Sequence, residues 1–181
     1  LQLRDGAFRF LLDSPSLAHR QKVVSTTYKI LGSTLLLSAV ITFGVATIFS
    51  VPYIWYVLAL LLAMSIQEVV SQVFRGLGNT KAFVSVGIIS AFFIGLLSLV
   101  FVVWMGMGIK GVFVANILAR ILAIVAVELK VQTLRHYFSI KISGKGIALD
   151  IIKYTLPLLP GSLCWWLTGS SDRWFIQEYL G

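Results

Sequence analysis

From Ile30 to Gln67 the chain carries no charged residue, and a second uncharged run extends from Ala82 to Ile109. A helix needs about 20 apolar residues to cross the roughly 30 Å hydrocarbon layer of a bilayer. The first run is long enough for two crossings. Val51-Pro52 divides it, because proline removes a backbone donor and pushes the residue before it away from helical geometry. The pattern therefore predicts five spanning helices: Ile30 to Ser50, Tyr53 to Phe74, Ala82 to Met105, Val112 to about Leu134, and a fifth beginning near Lys153 or Tyr154. Arg75-Gly-Leu-Gly-Asn-Thr-Lys81 and Gly106-Met-Gly-Ile-Lys-Gly111 supply turn chemistry between them. The expected fold class is all-α, a polytopic helical membrane protein.

Two further stretches alternate charged and bulky apolar residues without being long enough to span. These are "LRDGAFRFLLD" near the start and "QTLRHYFSIKI" after the fourth span. Both are expected to lie in the membrane interface as amphipathic segments or to be solvated loops. The resulting division is a cytoplasmic amphipathic segment (1–29), four spanning helices (30–134), a basic cytoplasmic linker (135–153) and the fifth spanning helix (154–181). The chain has no initiating Met, and Gly181 closes a helix-like stretch abruptly, so an internal piece of a longer protein is expected.

Composition sharpens this picture. Charged residues make up 12% of the chain, about half the usual share for a soluble domain, and mean hydropathy is +0.92. The net charge of +8 raises the question of nucleic acid or anionic lipid as a partner, and placement decides it. If the spans alternate, one side receives Arg4, Arg9, Arg20, Lys22 and Lys29, then Arg75 and Lys81, then Lys130, Arg135, Lys141, Lys145 and Lys153. Those five, two and five residues are twelve of the fifteen bases, and the opposite side receives only Lys110. The asymmetry places the basic side in the cytoplasm. Tyr53, Trp55, Tyr56 and Trp104 fall at the outer face, as an aromatic belt does. The basic surplus then serves topology and attraction to membrane lipids, and nucleic acid is excluded as a partner.

Several motifs fail on context. Gly106, Gly108 and Gly111 spell G-x-G-x-x-G, but no strand precedes them and no ribose-binding acid follows. Ser143-Gly-Lys-Gly146 lacks phosphate-loop spacing. His19 and His136 have no ligand partner at metal spacing, and Cys164 is the only cysteine, so neither a metal site nor a disulfide is expected. No nucleophile, base and orienting group assemble, and no carboxylate pair is placed for acid/base work. The sequence argues for no enzyme and no cofactor.

The signal lies in polar residues inside the spans. Arg120 sits nine residues beyond Gly111, roughly 13 Å along a helix and near mid-bilayer, with Asn116 one turn before it. Glu68 shares a helical face with Gln72 and Arg75. In the fifth span Ser162, Trp166, Gly169 and Arg173 form one stripe, and Gly161, Trp165, Thr168 and Asp172 form its neighbour. Leu163 and Leu167 project elsewhere. Asp172 and Arg173 point about 100° apart on a helix, so each needs another partner. Two readings stand. These groups are buried glue, with Glu68 paired to Arg120, or they line a watered pathway in which Arg120 binds substrate and Glu68 and Asp172 couple ions or gate.

The stretch "YTLPLLPGSLCWWLTGSSDRWFIQEYLG" resembles the seventh-helix motif of bacterial polysaccharide and O-antigen flippases: tyrosine, Pro-Leu-x-Pro, a tryptophan-bearing apolar run, Asp-Arg and a closing Leu-Gly. "RDGAFRFLLD" is similar to the segment after their second helix, and "FRGLGNTKAF" to their fourth-to-fifth loop. The resemblance covers most of the chain. It implies membership of the multidrug, oligosaccharidyl-lipid and polysaccharide exporter superfamily, whose twelve to fourteen helices form two related lobes, with helices three to seven present here: the first four spans in the N-terminal lobe and the fifth opening the C-terminal lobe. It also implies transport of undecaprenyl-diphosphate-linked oligosaccharide to the outer leaflet of the bacterial inner membrane by alternating access. On that basis Arg120 and Arg173 are candidates for diphosphate or acidic sugars, Trp165 and Trp166 for sugar stacking, and Asn116 for a further substrate contact. Arg120 is assigned from its depth and not from a family motif. A cation-coupled drug exporter of the same superfamily, using Glu68 or Asp172, is the alternative within transport. A non-transporting scaffold of a polysaccharide assembly complex is the alternative outside it.

Overall fold

A computed structural model of the chain describes residues 2–14, 16–49, 52–138 and 145–180. The described residues form helices and no strand. The elements are α1 (Leu3–Leu12), α2 (Leu17–Ile48), α3 (Ile54–Gly76), α4 (Thr80–Ser98), α5 (Gly108–Val131), α6 (Thr133–Tyr137), α7 (Lys145–Thr155) and α8 (Leu159–Leu180). A π-helical turn, Leu99–Trp104, prolongs α4, and a 3-10 turn, Leu156–Leu158, joins α7 to α8. Five helical stretches are long and apolar enough to cross a membrane. The protein is an all-α polytopic protein.

The helix ends depart from the hydropathy pattern for identifiable reasons. α2 starts at Leu17, well before Ile30, because Ser16 caps it by accepting a hydrogen bond from the His19 backbone at 3.3 Å. Its 32 residues extend roughly 48 Å, more than a bilayer requires, so the first turns carry Arg20, Lys22 and Lys29 beyond the apolar stretch. The fifth apolar stretch likewise begins early, within α7. Pro157 falls in the 3-10 turn and Pro160 in the first turn of α8, so neither requires a loop. Between α4 and α5, Gly106 (φ +63°) and Gly108 (φ +56°) take left-handed conformations that side-chain-bearing residues rarely adopt.

The packed core lies at one end of the bundle. Val23, Val24 and Leu31 of α2 meet Val69 and Val73 of α3, Leu3 and Leu11 of α1, and Ile151 of α7. A second cluster joins Val70 and Phe74 of α3 to Ala82 and Val86 of α4 and to Ala123 and Val127 of α5. Both clusters gather the ends that carry the basic segments. At the opposite end Phe43 meets Trp55, and Tyr56 meets both Tyr53 and Phe113, with ring centroids 6.1–6.3 Å apart. Consecutive spans therefore alternate in direction. The closest partnership is the α4–α5 hairpin. It follows from Gly111, Ala115, Ala119, Ala123 and Val127, buried residues four apart that let the backbones approach.

α1 packs as part of the bundle. Protein, and not only solvent or lipid, covers its apolar face: Leu3, Ala7 and Leu11 are buried, one turn apart. Arg4 meets Glu68, the Phe8 ring receives the Arg75 guanidinium at 4.5 Å, and Leu11 abuts Gly76. α1 thus runs alongside α3 in the same direction, and Arg4 sits at the level of Glu68, about two turns deeper than Arg75. On its other side Gly6 lets Ile151 and Thr155 of α7 come close, and Arg9 stacks on Tyr154 at 4.5 Å. The second amphipathic stretch forms the short α6. α2 ties it down through Gln21, which donates to the His136 carbonyl at 3.0 Å, and through an edge contact of Tyr28 with Phe138. Residues 139–144 of the basic linker lie outside the described residues.

Candidate functional site

A polar network crosses the bundle where the apolar patterning is strongest. Gln67 of α3 is buried and donates through Nε2 to the Ser90 hydroxyl of α4 at 3.1 Å. Ser90 in turn donates to the carbonyl of Gly87, one turn back. Arg120 of α5 donates through Nη1 to Gln67 Oε1 at 2.7 Å, a short, charge-assisted bond. The network joins three helices, and each member has a structural reason for its place. Ala119 and Ala123 bring α5 close enough for its neighbour Arg120 to reach α3, and Ser90 extends the buried face of α4 begun by Ala82 and Val86.

The pairing of Glu68 with Arg120 that the glue reading required is not the one observed. Glu68 accepts instead from Arg4 Nη1 at 3.3 Å, and that pair is half-exposed on both sides. Gln67 lies one residue earlier, on a different face of α3, and it is the side chain that meets Arg120. Arg120 is therefore held by a neutral amide, which brings no opposing charge. Its Nε–H is buried and finds no acceptor among the described residues. Gln72 Oε1 is buried with no donor there either.

Arg4, Gln67, Glu68, Ser71, Gln72, Phe83 and Arg120 line one cavity of about 240 Å³. Its wall holds two permanent cations and one carboxylate. Arg75 adds a third guanidinium behind the wall, stacked over Phe83 at 5.6 Å. Arg120, Glu68 and Gln72, singled out from sequence, are thus brought together. Arg4, Gln67, Ser71 and Ser90 were missed. Asn116 spends its amide on the carbonyl of Val112, one turn back on its own helix, at 2.9 Å.

The fifth-span candidates are not gathered into this site. Trp165 and Trp166 are exposed on α8, as are Leu163 and Leu167, so packing there distinguishes no face. The side chains of Asp172 and Arg173 lie outside the described residues. Comparison with family models, curated proteins and solved structures finds no match.

Proposed function

We propose that the chain belongs to a membrane transporter that carries a diphosphate-linked oligosaccharide on a lipid anchor across the bacterial inner membrane by alternating access. The observation that carries this reading is Arg120: a permanent cation deep in an apolar bundle, oriented by Gln67 but not neutralised by it. Charged groups at that depth are expensive unless they pair or serve a pathway. A carboxylate partner would satisfy a purely structural role more fully, whereas an amide preserves the positive charge for an anion. The resemblance of the 154–181 stretch to polysaccharide flippases supplies the substrate class, and the twelve-to-one basic asymmetry supplies the orientation.

Reconstitution tests the reading directly. Full-length protein in proteoliposomes loaded with a fluorescent lipid-diphosphate-linked saccharide is expected to expose that saccharide to an impermeant lectin. Efflux of cationic dyes without saccharide exposure makes the protein a drug exporter. The scaffold reading is favoured by one observation, that Gln67 bridges three helices, and it requires that neither activity appear.

Orientation has its own check. In a background with Cys164 and any other native cysteine replaced, cysteines at positions 81 and 145 are expected to resist an impermeant thiol reagent in intact cells. A cysteine at position 110 is expected to react. Reversed labelling overturns the sidedness.

In the fifth span Asp172 is proposed as an outer gate between lobes, and Arg173 as a contact for the substrate's negative charge. Asp172→Asn is expected to weaken polymer export at unchanged protein level. Arg173→Lys is expected to rescue poorly, because lysine lacks the planar fork. Surface-polymer assays normalised to membrane protein decide both, and a silent Asp172→Asn reduces the acid to a hydrogen-bonded helix contact.

A further inference from the structure

We infer that Glu68 is a built-in stand-in for the ligand of the Arg4–Arg120 cavity. Glu68 pairs with Arg4, and a compact phosphate-type oxyanion entering the cavity takes Arg4 over and bridges it to Arg120. This rests on the reading that Arg120 serves an anionic substrate, and it names the chemistry and control of that site.

The geometry gives three reasons. First, the lining carries two guanidinium groups, Arg4 and Arg120, against one carboxylate, Glu68, and Asp5 touches Arg4 from outside that lining. Second, the Arg4–Glu68 contact is a single 3.3 Å bond between half-exposed side chains, with Arg4 Nε also 3.6 Å from Asp5. Pairs of that kind are weak and exchange partners at little cost. The Arg120–Gln67 bond is shorter, at 2.7 Å, and Gln67 is buried, so Arg120 stays fixed while Arg4 is free to change partners. Third, Arg120 retains a buried Nε–H with no acceptor among the described residues, and Arg4 and Arg120 line the same cavity of about 240 Å³. Phosphate suits two converging guanidinium groups because its several equivalent oxygens accept from both forks at once.

The inference makes a prediction whose sign a structural pair would not give. Glu68→Gln removes the competing charge on the cavity lining and leaves Arg4 only its 3.6 Å contact with Asp5, so anion binding strengthens, by up to about fivefold, the upper worth of a half-exposed ion pair. Arg4→Gln weakens it by a similar factor. The measurement is titration of inorganic phosphate into purified full-length protein in phosphatidylcholine nanodiscs, read by calorimetry and by thermal stabilisation. A parallel arm uses nanodiscs containing phosphatidic acid, whose headgroup is a phosphomonoester. Response to free phosphate identifies a soluble anion as the source, and response to phosphatidic acid alone identifies a lipid-borne one. Unchanged or weaker binding by Glu68→Gln overturns the inference, as does absence of binding in both arms. Since the readout is binding, it stands apart from saccharide flipping: tighter binding by Glu68→Gln in a protein that flips nothing keeps the site and removes the transport reading.

Discussion

Arg120→Ala in the full-length protein is expected to abolish surface polymer while the protein remains in the membrane near its parental level. The substitution has two costs. Structurally it strands Gln67 Oε1, which loses its 2.7 Å donor, a penalty of about 1–3 kcal/mol for a buried acceptor. Gln67 keeps its bond to Ser90, and the small-residue seam between α4 and α5 is untouched. Functionally it removes the deepest cation facing the cavity, and loss of one partner of a buried charged contact costs about 2–5 kcal/mol, at least about thirtyfold in affinity. The functional loss therefore exceeds the structural one. Gln67→Glu separates the two further. It keeps a partner at the same position but neutralises Arg120, so a glue role tolerates it and a substrate role does not. Export assays and membrane levels for both variants decide: a normal Gln67→Glu together with disappearance of Arg120→Ala from the membrane favours glue.

The spans were legible because their signal is local. Uncharged runs of this length have no soluble explanation, and the structure contains five helices of matching hydropathy. Helix ends were less legible, since hydropathy reports where lipid begins and not where hydrogen bonding stops. Arg20, Lys22 and Lys29 end the apolar run of α2 while the helix continues back to its Ser16 cap. Arg120 stood out because it is charged. Its partner Gln67 did not, because an amide inside an uncharged run reads as filler. The Gly111-Ala115-Ala119-Ala123 spacing was readable at a period of four and would have marked the α4–α5 seam. The Arg4–Glu68 pair joins residues 64 positions apart, and no periodicity in a single sequence reveals such a contact.

The docking of α1 against α3 yields the second large expected effect. At Gly76 an added Cβ would stand 2.8 Å from Leu11 Cβ and 2.9 Å from Leu11 Cδ1, closer than real side chains approach. Leu11 is fully buried, so it has no free space into which to retreat, and α1 itself must shift. Gly76→Val is expected to destabilise the protein by about 1–3 kcal/mol, the usual cost of overpacking. It is also expected to dislodge Phe8 from Arg75 and Arg4 from Glu68. Leu11→Ala alone leaves a void and costs about 2–5 kcal/mol. In combination alanine removes the 2.9 Å Cδ1 contact but keeps the 2.8 Å Cβ contact, so the clash is relieved only in part and the double variant is expected to be more stable than the sum of the singles implies, with a coupling of about 0.5 kcal/mol or more. Thermal unfolding of the full-length protein in detergent measures all three, and protease susceptibility of the α1–α2 junction reports where the disturbance falls. A neutral Gly76→Val, or strictly additive variants, means that α1 does not pack on α3 at this point. The cavity would then lose Arg4 from its wall, leaving Arg120 as its only permanent cation among the described residues.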